Sequence, residues 1–84
     1  MRNYSGGILI ITAAYQQVTT VPCATRQFNV RSASGNSAIY LSADGLTDCG
    51  YITATEARQF LNTSPDAVYF RGTAGNTLYW DVSE

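Results

Sequence analysis

The sequence predicts an all-β protein: a small antiparallel β-sandwich or barrel, jelly-roll-like, built from seven or eight short strands. Three observations carry this. Several stretches alternate strictly between apolar and polar residues, the period-2 mark of a half-buried strand. Turn clusters separate these stretches at spacings of roughly 8–12 residues, as in sandwiches and barrels. The chain has 84 residues, enough for one domain.

The elements follow in order. Ile8–Thr12 is rich in β-branched residues, and Val18–Val21 is a second run ended by Pro22. Residues 1–17 are less patterned and read as an N-terminal arm or a first strand, with the sandwich over 18–84. Arg26–Arg31 alternates strictly, with Phe28 and Val30 on one face. Ser32–Asn36 is a turn in which Gly35 is free to take positive φ. Ala38–Ser42 sets Ile39 and Leu41 against Tyr40. Asp44–Gly50 is a loop, and Tyr51–Thr53 a short strand. Thr55–Asn62 is ambiguous, because Glu56–Gln59 favours helix and Thr53 with Glu56 resembles a capping box. It is shorter than a stable helix and sits between strands, so strand is preferred. Asn62–Asp66 is a turn, Ala67–Gly72 a strand, Thr73–Asn76 a tight hairpin connection, and Thr77–Val82 the closing strand. The expected core is Phe28, Val30, Ile39, Leu41, Ile52, Phe60, Val68, Phe70, Leu78, Trp80 and Val82.

Composition narrows the function classes. The net charge is −1, from five Arg and six acids with no Lys. Nucleic acid is not an expected partner, since binding its backbone takes a basic stripe that neutralises several phosphates. The charged fraction, 13%, is about half that of ordinary soluble domains. Lysine is a residue that proteins use to keep exposed strand edges apart. A chain without it has little free surface or works inside an assembly, where an interface also adds stability to a small fold. The apolar run Gly7–Ala14 is too short for a bilayer and follows only one positive residue, Arg2, so no membrane partner is expected. It reads as a strand or arm of the mature protein, although an AxA-like cleavage site is not excluded.

Catalytic chemistry finds little support. Histidine, the commonest general base and metal ligand, is absent. Cys23 and Cys49 match no metal-ligand spacing and are favoured as reduced, partly buried thiols over a bridge. Asp44–Asp48 faintly resembles a calcium loop but lacks the twelve-residue ligand pattern, so turn capping is the better reading. No catalytic residue, metal or cofactor is expected. What stands out is Tyr and Arg on polar faces: Tyr40, Tyr69 and Tyr79, accompanied by Arg26, Arg31 and Arg71. These residue types are enriched in protein interfaces. With the apolar Ile8 and Ile10 of the arm they form the candidate interface set. The same tyrosines would also stabilise a sheet through cross-strand pairing.

Four segments resemble a type of small tailed-phage structural protein: Arg26–Ser34, Ala38–Leu41, Pro65–Tyr69 and Thr73–Leu78. The similarity covers about three quarters of the chain and rests on turns and alternations. It departs at Ser32, where an Asn is usual, and in the extra N-terminal segment. The resemblance implies a β-sandwich accessory protein of the virion, assembled in the host cytoplasm. A capsid decoration (cement) protein is the leaning, a homo-oligomer, with a trimer favoured, seated on the major capsid protein. A head–tail neck or tail accessory protein is the alternative. A carbohydrate-binding module, with Tyr40 or Tyr69 stacking on sugar rings, is a third reading, weakened by Trp80 lying on the core face.

Overall fold

Two antiparallel sheets pack face to face in the computed structural model, which describes residues 4–20, 27–61 and 63–83. The strands are β1 (Tyr4–Ile10), β2 (Gln27–Ser32), β3 (Ile39–Ser42), β4 (Gly50–Ile52), β5 (Ala57–Leu61), β6 (Tyr69–Arg71) and β7 (Thr77–Ser83). One sheet has the order β1-β7-β2-β5, the other β4-β3-β6. Every pairing is antiparallel. The predicted fold class is the observed one.

Alternation decides which side chains meet between the sheets. Phe28 and Val30 of β2, Leu78 and Val82 of β7, Ile39 and Leu41 of β3, Ile52, Val68 and Phe70 are all buried. Phe60 and Trp80, expected in the core, pack against it half-buried. The Phe28 ring lies 5.5 Å from Phe60 of the same sheet, stacked, and 6.4 Å from Phe70 of the facing sheet, edge-on, so the Phe70 contact ties the two sheets together.

Ile11 is also fully buried, although Ile8 and Ile10 just before it are exposed. The chain leaves the four-stranded sheet at this point. The Ile11 N–H donates to the Asn76 carbonyl (2.8 Å), and the Gly72 N–H donates to the Thr12 carbonyl (2.9 Å). Gln16 then exchanges both backbone hydrogen bonds with Phe70 (2.8 and 2.7 Å), joining the edge of β6. One segment thus serves both sheets and closes one side of the sandwich. No strand forms over Val18–Thr20, where a second run was expected.

One local expectation needs correction, while the strand preferred over helix after Thr55 forms as β5. Thr73–Asn76 makes a tight turn, with Gly75 at φ 93° and the Asn76 N–H donating to the Thr73 carbonyl (3.2 Å). It joins β6 to β7, however, which lie in different sheets, so it is not a hairpin. The Thr53 and Glu56 pair does make reciprocal bonds: the Thr53 N–H donates to Glu56 Oε1 (2.9 Å) and the Glu56 N–H to the Thr53 carbonyl (3.1 Å). These close a turn between β4 and β5 and no helix follows, because Thr55 sits at φ 64° and turns the chain into β5.

Candidate functional site

The two outward faces of the sandwich differ in chemistry. On the three-stranded sheet, β3 pairs Tyr40 with Tyr51 of β4 on one side and with Arg71 of β6 on the other. The Arg71 guanidinium lies 4.9 Å from the centre of the Tyr40 ring and 5.5 Å from that of Tyr15. It holds Asp48 bidentately, Nε to Oδ1 at 3.0 Å and Nη2 to Oδ2 at 2.5 Å. The Tyr15 hydroxyl donates to the same carboxylate. Hydrogen bonding to Arg71, and then to Tyr15, holds the Asp48 carboxyl below its ordinary pKa. Asp48 in turn raises the pKa of Tyr15 and of Arg71.

The loop between β3 and β4 lies over this face. Asp44 caps its turn, accepting from the N–H groups of Leu46 (2.8 Å) and Thr47 (3.0 Å), which lower its pKa. A Cβ at Gly45 would sit 3.2 Å from the Tyr69 ring, so the loop rests on Tyr69. Arg71, Tyr40 and Tyr69 are therefore half-buried and engaged with the chain's own groups. Turn capping, expected of Asp44–Asp48, is the work of Asp44, whereas Asp48 pairs with Arg71 and Tyr15, and Tyr15 lies in no alternating stretch that would single it out.

The four-stranded sheet presents two parallel cross-strand rows. Ile8, Tyr79, Arg31 and Ala57 form one, in register across β1, β7, β2 and β5. Gly6, Asp81, Asn29 and Gln59 form the other. Between them runs a trough of about 730 Å³. Ile8 (61% exposed), Ile10 (54%) and Tyr79 (45%) project outward. Arg31 is exposed, and among the described residues nothing pairs with its guanidinium. Four of the eight candidate interface residues, Ile8, Ile10, Tyr79 and Arg31, thus share this face, while Tyr40, Tyr69 and Arg71 share the other. Arg26 and Cys23 lie outside the described residues. Cys49 is exposed and unbridged.

The edges complete the picture. No described strand lies beyond β1 or beyond β5. The Gln16 side chain donates through Nε2 to the Ile10 carbonyl (3.1 Å), so the open edge of β1 runs from Tyr4 to Leu9. That stretch holds no charge, proline or lysine. Leu61 of β5 is 60% exposed. Among the described residues no group of three His, Cys, Asp or Glu gathers as a metal site, and no helix is long and apolar enough to cross a membrane.

No protein-family model matches the chain, and no curated protein resembles it in sequence. In fold it is similar to a chain from the Bacillus endospore appendages, described as a novel family of disulfide-linked pili. The TM-score is 0.61 at 12% identity, over 99% of this chain and 84% of that one. The class to which this likeness speaks is architectural: a small β-sandwich of the kind that also occurs in a pilus.

Proposed function

We propose that the chain is a structural subunit that works by repetition, as a capsid decoration (cement) protein seated on the major capsid protein of a virion. The observation that carries the structural role is the open, uncharged edge of β1 with Ile8 and Ile10 exposed beside it. Such an edge is a template for another strand, and nothing in its composition guards against pairing. Successive strands of the sheet alternate in direction, so β1 and β5 run antiparallel to each other. A second copy set alongside would meet β1 with its own β5 in the antiparallel sense used throughout the sheet. The contact is head-to-tail: it closes into a ring when the rotation allows and otherwise opens into a filament.

The virion reading is the closed case, a ring of three, supported by the phage-like segments around Arg26–Ser34 and Pro65–Tyr69. A ring at the neck or tail would use the same contact. A subunit of an extracellular appendage is the open case, favoured by the fold likeness to the pilus chain. No catalytic role forms part of either reading.

Light scattering and electron microscopy of the purified protein test the proposal. Closed trimers that bind shells lacking the protein support the cement role, and filaments support the appendage role. Because the pilus relative is described as disulfide-linked, the sensitivity of any filament to reductant bears on exposed Cys49 as a link. Ile8→Lys, which adds charge at an exposed edge position, is expected to abolish either assembly and leave the fold intact. A monomer at every concentration that also fails to bind shells overturns the structural role.

A further inference from the structure

The trough on the four-stranded sheet has no part in edge pairing, and its lining has a chemistry of its own. Strands rise about 3.4 Å per residue and lie about 4.8 Å apart. Two rows two residues apart across four strands therefore frame a channel about 7 Å wide whose outer strands are about 14 Å apart. One wall carries the Tyr79 ring and the Arg31 guanidinium, the other Asp81, Asn29 and Gln59. The ends are kept low by Gly6 and Ala57.

The channel crosses the strands, over backbone groups already paired in the ladder. It offers a visitor no main-chain hydrogen bonds, which disfavours an extended peptide. Of the two arginines along it, Arg58 donates to the Tyr51 carbonyl (3.3 Å) and Arg31 faces the carboxylate Asp81 across the trough, which disfavours a polyanion. What remains is a set of side chains that both donate and accept beside one aromatic face. Asn29 Nδ2 donates to Asp81 Oδ1 (2.8 Å), which orients the pair. That bond engages one oxygen of the carboxylate, and among the described residues nothing else engages Asp81, Gln59 or Arg31 through its side chain.

We propose that this trough is a binding site for a neutral, linear, β-1,4-linked oligosaccharide. Such a chain is a flat ribbon whose rings present C–H faces to an aromatic platform and hydroxyls along both edges. A hydroxyl donates and accepts at once, matching amides and a carboxylate on one wall and a guanidinium on the other. A concave site of this volume with a few convergent polar groups is of ordinary size for a small ligand. The site is distinct from the tyrosines Tyr40 and Tyr69 of the opposite sheet, which the chain covers itself.

Isothermal titration of the full-length protein with cellotetraose and with chitotetraose tests the proposal, and light scattering on the same samples reads assembly separately. Saturable binding to at least one is expected, weakened about tenfold or more by Tyr79→Ala and by Asp81→Ala. Tyr40→Ala, on the other sheet, is expected to leave binding unchanged. Circular dichroism confirms that each variant folds, and Gln59→Ala, at an exposed position, provides a further trough variant. Absence of binding to both sugars at millimolar concentration, or binding that survives Tyr79→Ala and Asp81→Ala in folded protein, overturns it. Assembly without sugar binding would count against the trough alone, and sugar binding without assembly against the structural role alone.

Discussion

On the three-stranded sheet the aromatic and charged residues are engaged with one another, whereas on the four-stranded sheet Tyr79 and Arg31 face outward with no side-chain partner among the described residues. Arg71 is flanked by two tyrosine rings and held by Asp48, while Arg31 meets nothing among the described residues. Tyr69 lies under a loop, while Tyr79 is nearly half exposed. The difference comes from connectivity. The β3–β4 loop and the segment carrying Tyr15 fold over the first face, and no described segment folds over the second. Residue type alone thus does not mark a working surface. An arginine beside tyrosines is a clamp when a carboxylate reaches it and a contact point when none does.

The largest expected effect comes from the edge that borders the bare face. A Cβ at Gly6 would lie 2.6 Å from the Trp80 carbonyl oxygen, a backbone atom, so Gly6→Ala must push β1 away from β7. The expected cost is about 1–3 kcal/mol in urea denaturation. At Gly7 the nearest atoms belong to the Trp80 ring at 3.3 Å, and a side chain can yield, so Gly7→Ala should cost less. Equal costs at the two positions would mean that the close approach of β1 and β7 is not what holds this edge.

A smaller effect separates the faces by pH. Hydrogen bonds from Arg71 hold the Asp48 pKa low, and backbone N–H groups do the same for Asp44 and Glu56. Their folded-state values lie below the unfolded ones, about 3.9 for Asp and 4.3 for Glu. The stabilisation they give is complete above that range and is lost as the pH falls through the lowered folded values. Melting temperature should therefore hold steady from pH 7 to about 5 and decline below about 4. Acid should release the covered face first, seen as faster hydrogen exchange at the Gln16 amide, which is bonded to Phe70. Asp48→Asn should reproduce that release at neutral pH while leaving exchange in β2 and β7 unchanged. Protection at Gln16 that is indifferent both to acid and to Asp48→Asn would mean that the clamp does not hold the cover.

These contrasts also show where sequence reading succeeds and where it stops. Alternation through Arg26–Arg31, Ala38–Ser42 and Thr77–Val82 exposes the central strands and nearly the whole core, because burial on one face imposes the period. It cannot find Ile11, whose burial follows from the chain changing sheets inside an unbroken apolar run. Turn chemistry locates Thr73–Asn76 but does not say which strands a turn joins, so a crossing between sheets looks like a hairpin. The clamp depends on Asp48 meeting Arg71, 23 residues away, and no local pattern encodes that meeting. Asn29, Gln59 and Asp81 alternate as any solvated face would, and only the register of four strands places them in one row.

The smallest effect concerns the connection that hands the chain from one sheet to the other. Thr55 is a β-branched residue at φ 64°, a conformation that costs an L-residue about 1–2 kcal/mol. Its N–H donates to the Ser32 carbonyl (3.0 Å), and the Ser32 N–H donates to the Glu56 carbonyl (2.9 Å), so the strained turn is pinned to the end of β2. Thr55→Gly removes the strain but adds freedom to the unfolded chain, worth about 0.4–1 kcal/mol in the opposite sense. The balance is a stabilisation between about zero and about 1.6 kcal/mol, read as a modest rise in melting temperature. The turn leads directly into Ala57, at the end of the row that carries Tyr79 and Arg31. If Thr55→Gly stabilises the fold and leaves oligosaccharide binding unchanged, the strain is a cost of linking the sheets and nothing more. If it stabilises the fold but weakens binding, the strained turn aims β5, and the difference between the two faces extends to the connection between them.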